Sequence, residues 1–188
     1  MSHLRLFSML NVDDPSELLL NPDVIVVFGG STANMVAIWR VHGIGHALRR
    51  AREDGAVLSG WSTGALCWFE GGLTDSCRPA LAALPDGLGI LFGSYCPDHG
   101  EKPRRSWFHE EIGSGALPPG LTFENGVAAH FVETDLAEIL SEDEDARAWR
   151  VRRDVAGGAL AESLATRPFG GQGLGRVPPV GVARYGRS

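Results

Sequence analysis

Val24-Ile25-Val26-Val27-Phe28-Gly29-Gly30-Ser31-Thr32 follows the turn signal Asn21-Pro22-Asp23 and sets the architecture of the chain. An uninterrupted β-branched run suits a strand covered on both faces, and the glycines and hydroxyls after it suit a tight turn and a helix N-cap. From Ala33 to about Arg52, Met35, Val36, Ile38, Trp39, Ala47 and Leu48 recur largely at helical spacing, and Arg49, Arg50 and Arg52 fall at the negative end of the helix dipole. The pattern then repeats. Ala56-Val57-Leu58 leads into Ser59-Gly60-Trp61-Ser62-Thr63-Gly64, and Ala65-Leu66-Cys67-Trp68-Phe69 reads as a buried helix. Strand, helix, strand, helix at this spacing predicts an α/β fold built on a mainly parallel sheet, with ligands at the carboxyl edge of the strands. Both glycine-rich turns lie on that edge. Farther on, residues 87–96 and 126–132 read as strands and residues 104–115 as a helix. The seven acids between Glu133 and Asp145 read as a solvated face.

Gly60-Trp61-Ser62-Thr63-Gly64 fits the nucleophile elbow G-x-S-x-G, in which glycines flank the serine because a sharp strand-to-helix turn leaves no room for side chains beside it. The turn pushes the Ser62 hydroxyl over the sheet edge and aims the Thr63 amide where a tetrahedral oxyanion would form. Gly30, in the turn of the neighbouring strand, is the expected second donor. The Gly29-Gly30 turn lacks both the lysine of a phosphate-binding loop and the third glycine of a dinucleotide fingerprint, so nucleotide binding is not expected. Of six histidines, His99 is best placed as a base, in the polar loop Cys96-Pro97-Asp98-His99-Gly100 after a predicted strand. His109 and His130 read as structural. His42 and His46, four apart on a predicted helix, lack a third metal ligand. Cys96 is a weaker nucleophile candidate, since it has no elbow. A carboxylate that orients the imidazole is required, and Asp75 and Glu124 both remain candidates.

The chain has 188 residues, 44% of them apolar and 21% charged, which suits one globular domain. Its 25 glycines and 11 prolines exceed ordinary usage and call for many turns. A formal charge of −6 repels phosphate backbones and anionic membrane surfaces, so neither nucleic acid nor membrane is an expected partner. No apolar stretch has the length of a membrane span, and the N-terminus has no secretory h-region, so the expected location is cytoplasmic. The three cysteines lack C-x-x-C spacing, which argues against a disulfide framework and against zinc. No metal or other cofactor is expected. Residues 1–167 are expected to form the single hydrolytic domain, and residues 168–188, with six glycines, three prolines, three arginines and no acid, a mobile extension.

Between about Val24 and Val151 the chain resembles the peptidase E group of serine peptidases, which includes aspartyl dipeptidases and, more distantly, cyanophycinases. The likeness rests on Gly29-Gly30-Ser31-Thr32, Gly60-Trp61-Ser62-Thr63-Gly64-Ala65, the Cys67-Trp68-Phe69-Glu70 segment read as helix, Thr74-Asp75-Ser76, and Cys96-Pro97 with His99-Gly100-Glu101 and Arg104-Arg105. It implies a three-layer α/β/α sandwich akin to class I glutamine amidotransferase domains, shortened at its N-terminus by one or two βα units. The bared edge would favour a homo-oligomer. It also implies Ser62 as nucleophile, His99 as base, Asp75 or Glu124 as third member, and Gly30 with Thr63 as oxyanion hole. The implied substrate is a small peptide, typically a dipeptide with N-terminal aspartate, whose carboxylate Arg104 or Arg105 would bind. Where the group usually reads Pro-His, Pro97-Asp98-His99 interposes an acid, which is expected to displace the imidazole and slow catalysis. The alternative is a catalytically weak or silent relative that serves as a binding or assembly module.

Overall fold

The computed structural model describes residues 1–6, 9–76 and 80–169. In chain order, α1 (Pro15–Leu20), β1 (Val24–Val27), α2 (Thr32–Val41), α3 (Ile44–Glu53), β2 (Val57–Gly60) and α4 (Thr63–Leu66) lead into β3 (Phe69–Thr74) and β4 (Ala82–Leu84). β5 (Leu91–Cys96), α5 (Lys102–Ser114), β6 (Gly120–Phe123), β7 (Val127–Val132), β8 (Asp135–Ser141), β9 (Ala148–Arg153), β10 (Ala159–Leu164) and β11 (Arg167–Pro168) follow. The fold is α/β, as the sequence pattern predicts.

Parallel pairing is concentrated around the two glycine-rich turns and the strands that follow them. β1 and β2 form a two-stranded parallel sheet, with Val27 opposite Gly60. A six-stranded sheet in the order β10-β9-β6-β5-β3-β4 is parallel across β3, β5 and β6 and antiparallel on both flanks. β7 and β8 form an antiparallel hairpin extended by β11. The sheet is therefore mixed. On one flank β9 pairs antiparallel with β6 after the β7–β8 hairpin and a short turn leads it into β10; on the other β4 pairs antiparallel with β3, and neither flank needs a crossover helix.

Alternation along β5 explains how the large sheet is covered. Tyr95 joins a core with Phe69, Phe123, Trp39 and Leu48, whereas the adjacent Cys96 joins Leu73, Phe108, Ile112 and Val151 on the opposite side. Burying such side chains contributes about 1.5–3 kcal/mol each before entropy is counted. α5 supplies Phe108 and Ile112 to the second core, and Gly115 ends the helix in the left-handed conformation with φ 87°.

Two predicted elements differ. The helix expected from Ala33 to Arg52 is broken after Val41, because Gly43 adopts φ 67° and turns the chain before α3 starts. His42 and His46 therefore do not share one helix. The helix expected over Ala65–Phe69 is a single turn that ends at Leu66, and Phe69-Glu70 already belongs to β3. Gly71 and Gly72 force this change: a Cβ on Gly72 would lie 2.2 Å from the Tyr95 carbonyl oxygen, so the residue serves close strand pairing. The acid-rich segment forms most of β8 and the turn after it, with Glu142–Asp145 exposed as expected. Of the expected C-terminal extension, Pro168 lies in β11 and the Phe169 amide donates to Ser141 O at 2.6 Å. Residues 170–188 lie outside the described residues, as does Cys77.

Candidate active site

Ser62 has φ 53° and ψ −119°, a conformation that non-glycine residues rarely adopt. Its neighbours explain why the chain accepts it. A Cβ on Gly60 would lie 2.2 Å from Gly64 O, and one on Gly64 would lie 2.0 Å from Val27 O. The elbow therefore turns within backbone contact of β1, and only glycine fits on either side. Trp61 N–H donates to Val27 O at 3.0 Å, which carries the β1–β2 ladder into the turn. Thr63 Oγ1 donates to Gly30 O at 2.8 Å and latches the two turns together. The Thr63 amide is the first of α4, where no helical carbonyl lies behind it to accept.

Gly30, Ser62, Thr63, Asp75 and Arg104 line one open cleft of about 150 Å³, together with Thr32, Thr74 and Pro97. Five of the residues singled out in the sequence thus meet. Within the cleft, Arg104 Nη2 pairs with Asp75 Oδ2 at 2.8 Å and Arg104 Nε with Glu101 Oε2 at 3.0 Å. The Arg104 side chain is only 14% exposed. Burial works against its charge, but the Asp75 and Glu101 carboxylates outweigh that and hold the guanidinium protonated beyond its ordinary range.

His99, Glu124 and Arg105 do not line this cleft. Glu124 is tied to the turn before β9, where its carboxylate accepts from Arg147 N–H at 2.9 Å. Arg105 is exposed on α5. His99 is 2% exposed, its ring 4.2 Å from that of Trp149 and 5.9 Å from that of His109. Its Nδ1 lies 3.0 Å from Thr122 Oγ1, so a hydroxyl and not a carboxylate meets the imidazole. Burial, reinforced by His109 and Arg105, pushes its pKa down to about 4. The acid interposed before it explains the position. Asp98 takes a left-handed φ of 59°, which Asp tolerates better than most residues, and the resulting tight turn lets His99 N–H donate to Phe123 O at 3.0 Å.

Thr122 and Trp149 carried no sequence signal as site residues, because both are ordinary strand formers. Cys96 is fully buried and its thiol is pushed up to about 12 by burial, which leaves it protonated and unreactive. Among the described residues no cluster of three or more His, Cys, Asp or Glu could hold a metal ion, and no helix is long and apolar enough to cross a membrane.

Fold and turn together define an α/β protein with a serine on a strained strand-to-helix elbow. Residues 2–139 match the family described as Peptidase family S51, and the chain belongs to that family. It is 42% identical over 151 residues to the uncharacterized peptidase YgaJ of Bacillus subtilis (strain 168), an alignment that covers 80% of this chain and 64% of that protein. The chain thus spans a little under two thirds of that relative's length. A solved structure from Listeria monocytogenes EGD-e that carries the peptidase E name aligns with TM-score 0.44 and 13% identity, over 80% of this chain and 64% of the other.

Proposed function

We propose that this chain is a serine peptidase that cleaves short peptides, dipeptides with N-terminal aspartate among them, through an acyl-enzyme on Ser62. The observation that carries the reading is the strained Ser62 backbone, clamped between Gly60 and Gly64 and opening into a cleft with a half-buried arginine. Ser62 Oγ attacks the carbonyl carbon of the scissile bond and gives its proton to His99. The Gly30 and Thr63 amides take the oxyanion. Collapse expels the amine, which receives the proton from His99, and water then releases the acyl group by the same steps. A base with pKa near 4 is unprotonated at neutral pH but holds a proton poorly, so turnover is slow. Arg104 is the cation that meets an aspartyl side chain, which must exchange with Asp75 to reach it.

The burial of His99 outside the cleft favours a second reading, a relative that keeps the fold and the cleft for binding alone. A fluorophosphonate probe separates the two. Labelling at Ser62 that Ser62→Ala abolishes, together with hydrolysis of Asp-Xaa dipeptides, supports the peptidase. A folded protein that neither labels nor hydrolyses them supports the binding module. Arg104→Met should erase any preference for Asp-Xaa over Asn-Xaa, a ratio of roughly 10- to 150-fold if the contact is a charge-assisted pair.

A further inference from the structure

Cys96, Thr122 and Trp149 lie in one cross-strand row, with Thr122 opposite Cys96 on β5 and opposite Trp149 on β9. Thr122 and Trp149 both contact the His99 ring. Thr122 is fully buried, and its hydroxyl has one proton to give. Thr122 Oγ1 donates at 2.8 Å to the Cys96 carbonyl, an oxygen that can only accept. Toward His99, 3.0 Å away, the same oxygen is therefore left with lone pairs alone. Nδ1 must carry the imidazole proton. That leaves Nε2 as the unprotonated nitrogen. Trp149 packs against the ring at a tilt of 37°, and the hydrogen bond from His99 N–H to Phe123 O fixes the backbone beneath it. The imidazole is thus held at three points, by the Thr122 hydroxyl, the Trp149 ring and its own backbone.

We infer that Thr122 is the positioning residue that locks His99 in the Nδ1–H tautomer and so presents Nε2 as proton acceptor, a task for which neither Asp75 nor Glu124 is placed. Both carboxylates are engaged elsewhere, Asp75 with Arg104 and Glu124 with the Arg147 amide. The inference deepens the peptidase reading and rests on it for the use to which Nε2 is put. The tautomer itself does not depend on that reading. A neutral hydroxyl can fix a tautomer as a carboxylate does, but it adds no charge to stabilise an imidazolium.

The test is long-range ¹H–¹⁵N NMR of the histidine rings in ¹⁵N-labelled protein, with the His99 signals assigned by their loss in His99→Gln. The wild type and Thr122→Ser should show a protonated Nδ1 and a bare Nε2, and Thr122→Val should lose that preference. Asp75→Asn and Glu124→Gln should leave it intact. A wild-type His99 protonated at Nε2 overturns the inference, whatever happens to the variants, and so does a shift caused by Asp75→Asn or Glu124→Gln. Fluorophosphonate labelling of Ser62 should slow on the order of tenfold in Thr122→Val and recover in Thr122→Ser. Unchanged labelling in a Thr122→Val protein whose tautomer has shifted also overturns it. A wild type that keeps the Nδ1–H tautomer yet never labels refutes the peptidase reading and leaves the tautomer lock standing.

Discussion

Gly64→Ala is the sharpest test of the elbow, because the clash is with backbone on all sides. The new Cβ would lie 2.0 Å from Val27 O, 2.5 Å from Val27 C and 3.0 Å from Phe28 O, whereas ordinary contact begins near 3.4 Å. No side chain can rotate away, so α4 must retreat from β1 by more than about 1 Å, which puts the cost near the upper end of the 1–3 kcal/mol range for overpacking. For a chain of this size that corresponds to a fall in Tm of about 5–12 °C. The retreat also carries Ser62 and Thr63 with it. A misplacement of about 1 Å costs on the order of 10²-fold in reactivity, which fluorophosphonate labelling at Ser62 reads directly. Gly100→Ala is the control, since a Cβ there meets nothing within 4 Å, and its Tm should stay within about 2 °C of the wild type. If Gly64→Ala melts with the wild type and labels at the same rate, backbone crowding does not hold Ser62 in its conformation.

Acid should destabilise the fold through His99. The unfolded chain protonates this residue near pH 6.5 and the folded one only near 4, so stability is fully present above pH 6.5 and declines by up to about 3 kcal/mol as the pH falls to 4. Urea titrations should follow that slope, and His99→Gln should flatten all but the part contributed by His109, whose pKa burial also lowers. Ser62→Ala and His99→Ala should each abolish turnover nearly completely, and their combination should add little, because a nucleophile and its base act as a unit. Losses that multiply would separate the two residues' roles. In native protein at pH 8, iodoacetamide should spare Cys67 and Cys96, both buried with thiol pKa values raised by burial, and should reach them only on unfolding.

The elbow was legible in sequence because its physics is local: a turn this tight specifies glycine at Gly60 and Gly64, and the order of strand, turn and helix specifies where it points. The meeting of Gly30, Ser62, Thr63, Asp75 and Arg104 was legible because parallel strands bring their carboxyl-terminal turns together. The break at Gly43 carried a signal, a glycine amid a helical period, that the flanking apolar spacing outweighed in the reading. The short α4 had one too, in Gly71-Gly72. What sequence could not convey is the cradle of His99. Thr122 and Trp149 sit 23 and 50 residues away, and a threonine in a strand looks the same whether it fills space or fixes a tautomer. The antiparallel flanks were equally silent, since the sense of β9 and β10 depends on turns with no motif of their own.

The elbow stands at the end of β1–β2, and that strand pair shares no ladder with the six-stranded sheet that bears β5, β6 and the His99 loop. Val24, Val26 and Phe28 from the first strand and its turn, and Val57 and Trp61 from the second, are exposed, so one face of the pair has no cover among the described residues. An isolated strand pair is marginal in water, and this one is held mainly through Ile25, α3 and the single turn α4. Local opening should therefore be uneven. In hydrogen exchange, the amides of β1 and β2 should lose protection well before those of β5 and β6. Ser62 and His99 would then ride on separately opening units, and the gap between them would become a fluctuating coordinate set by how the smaller unit breathes against the larger.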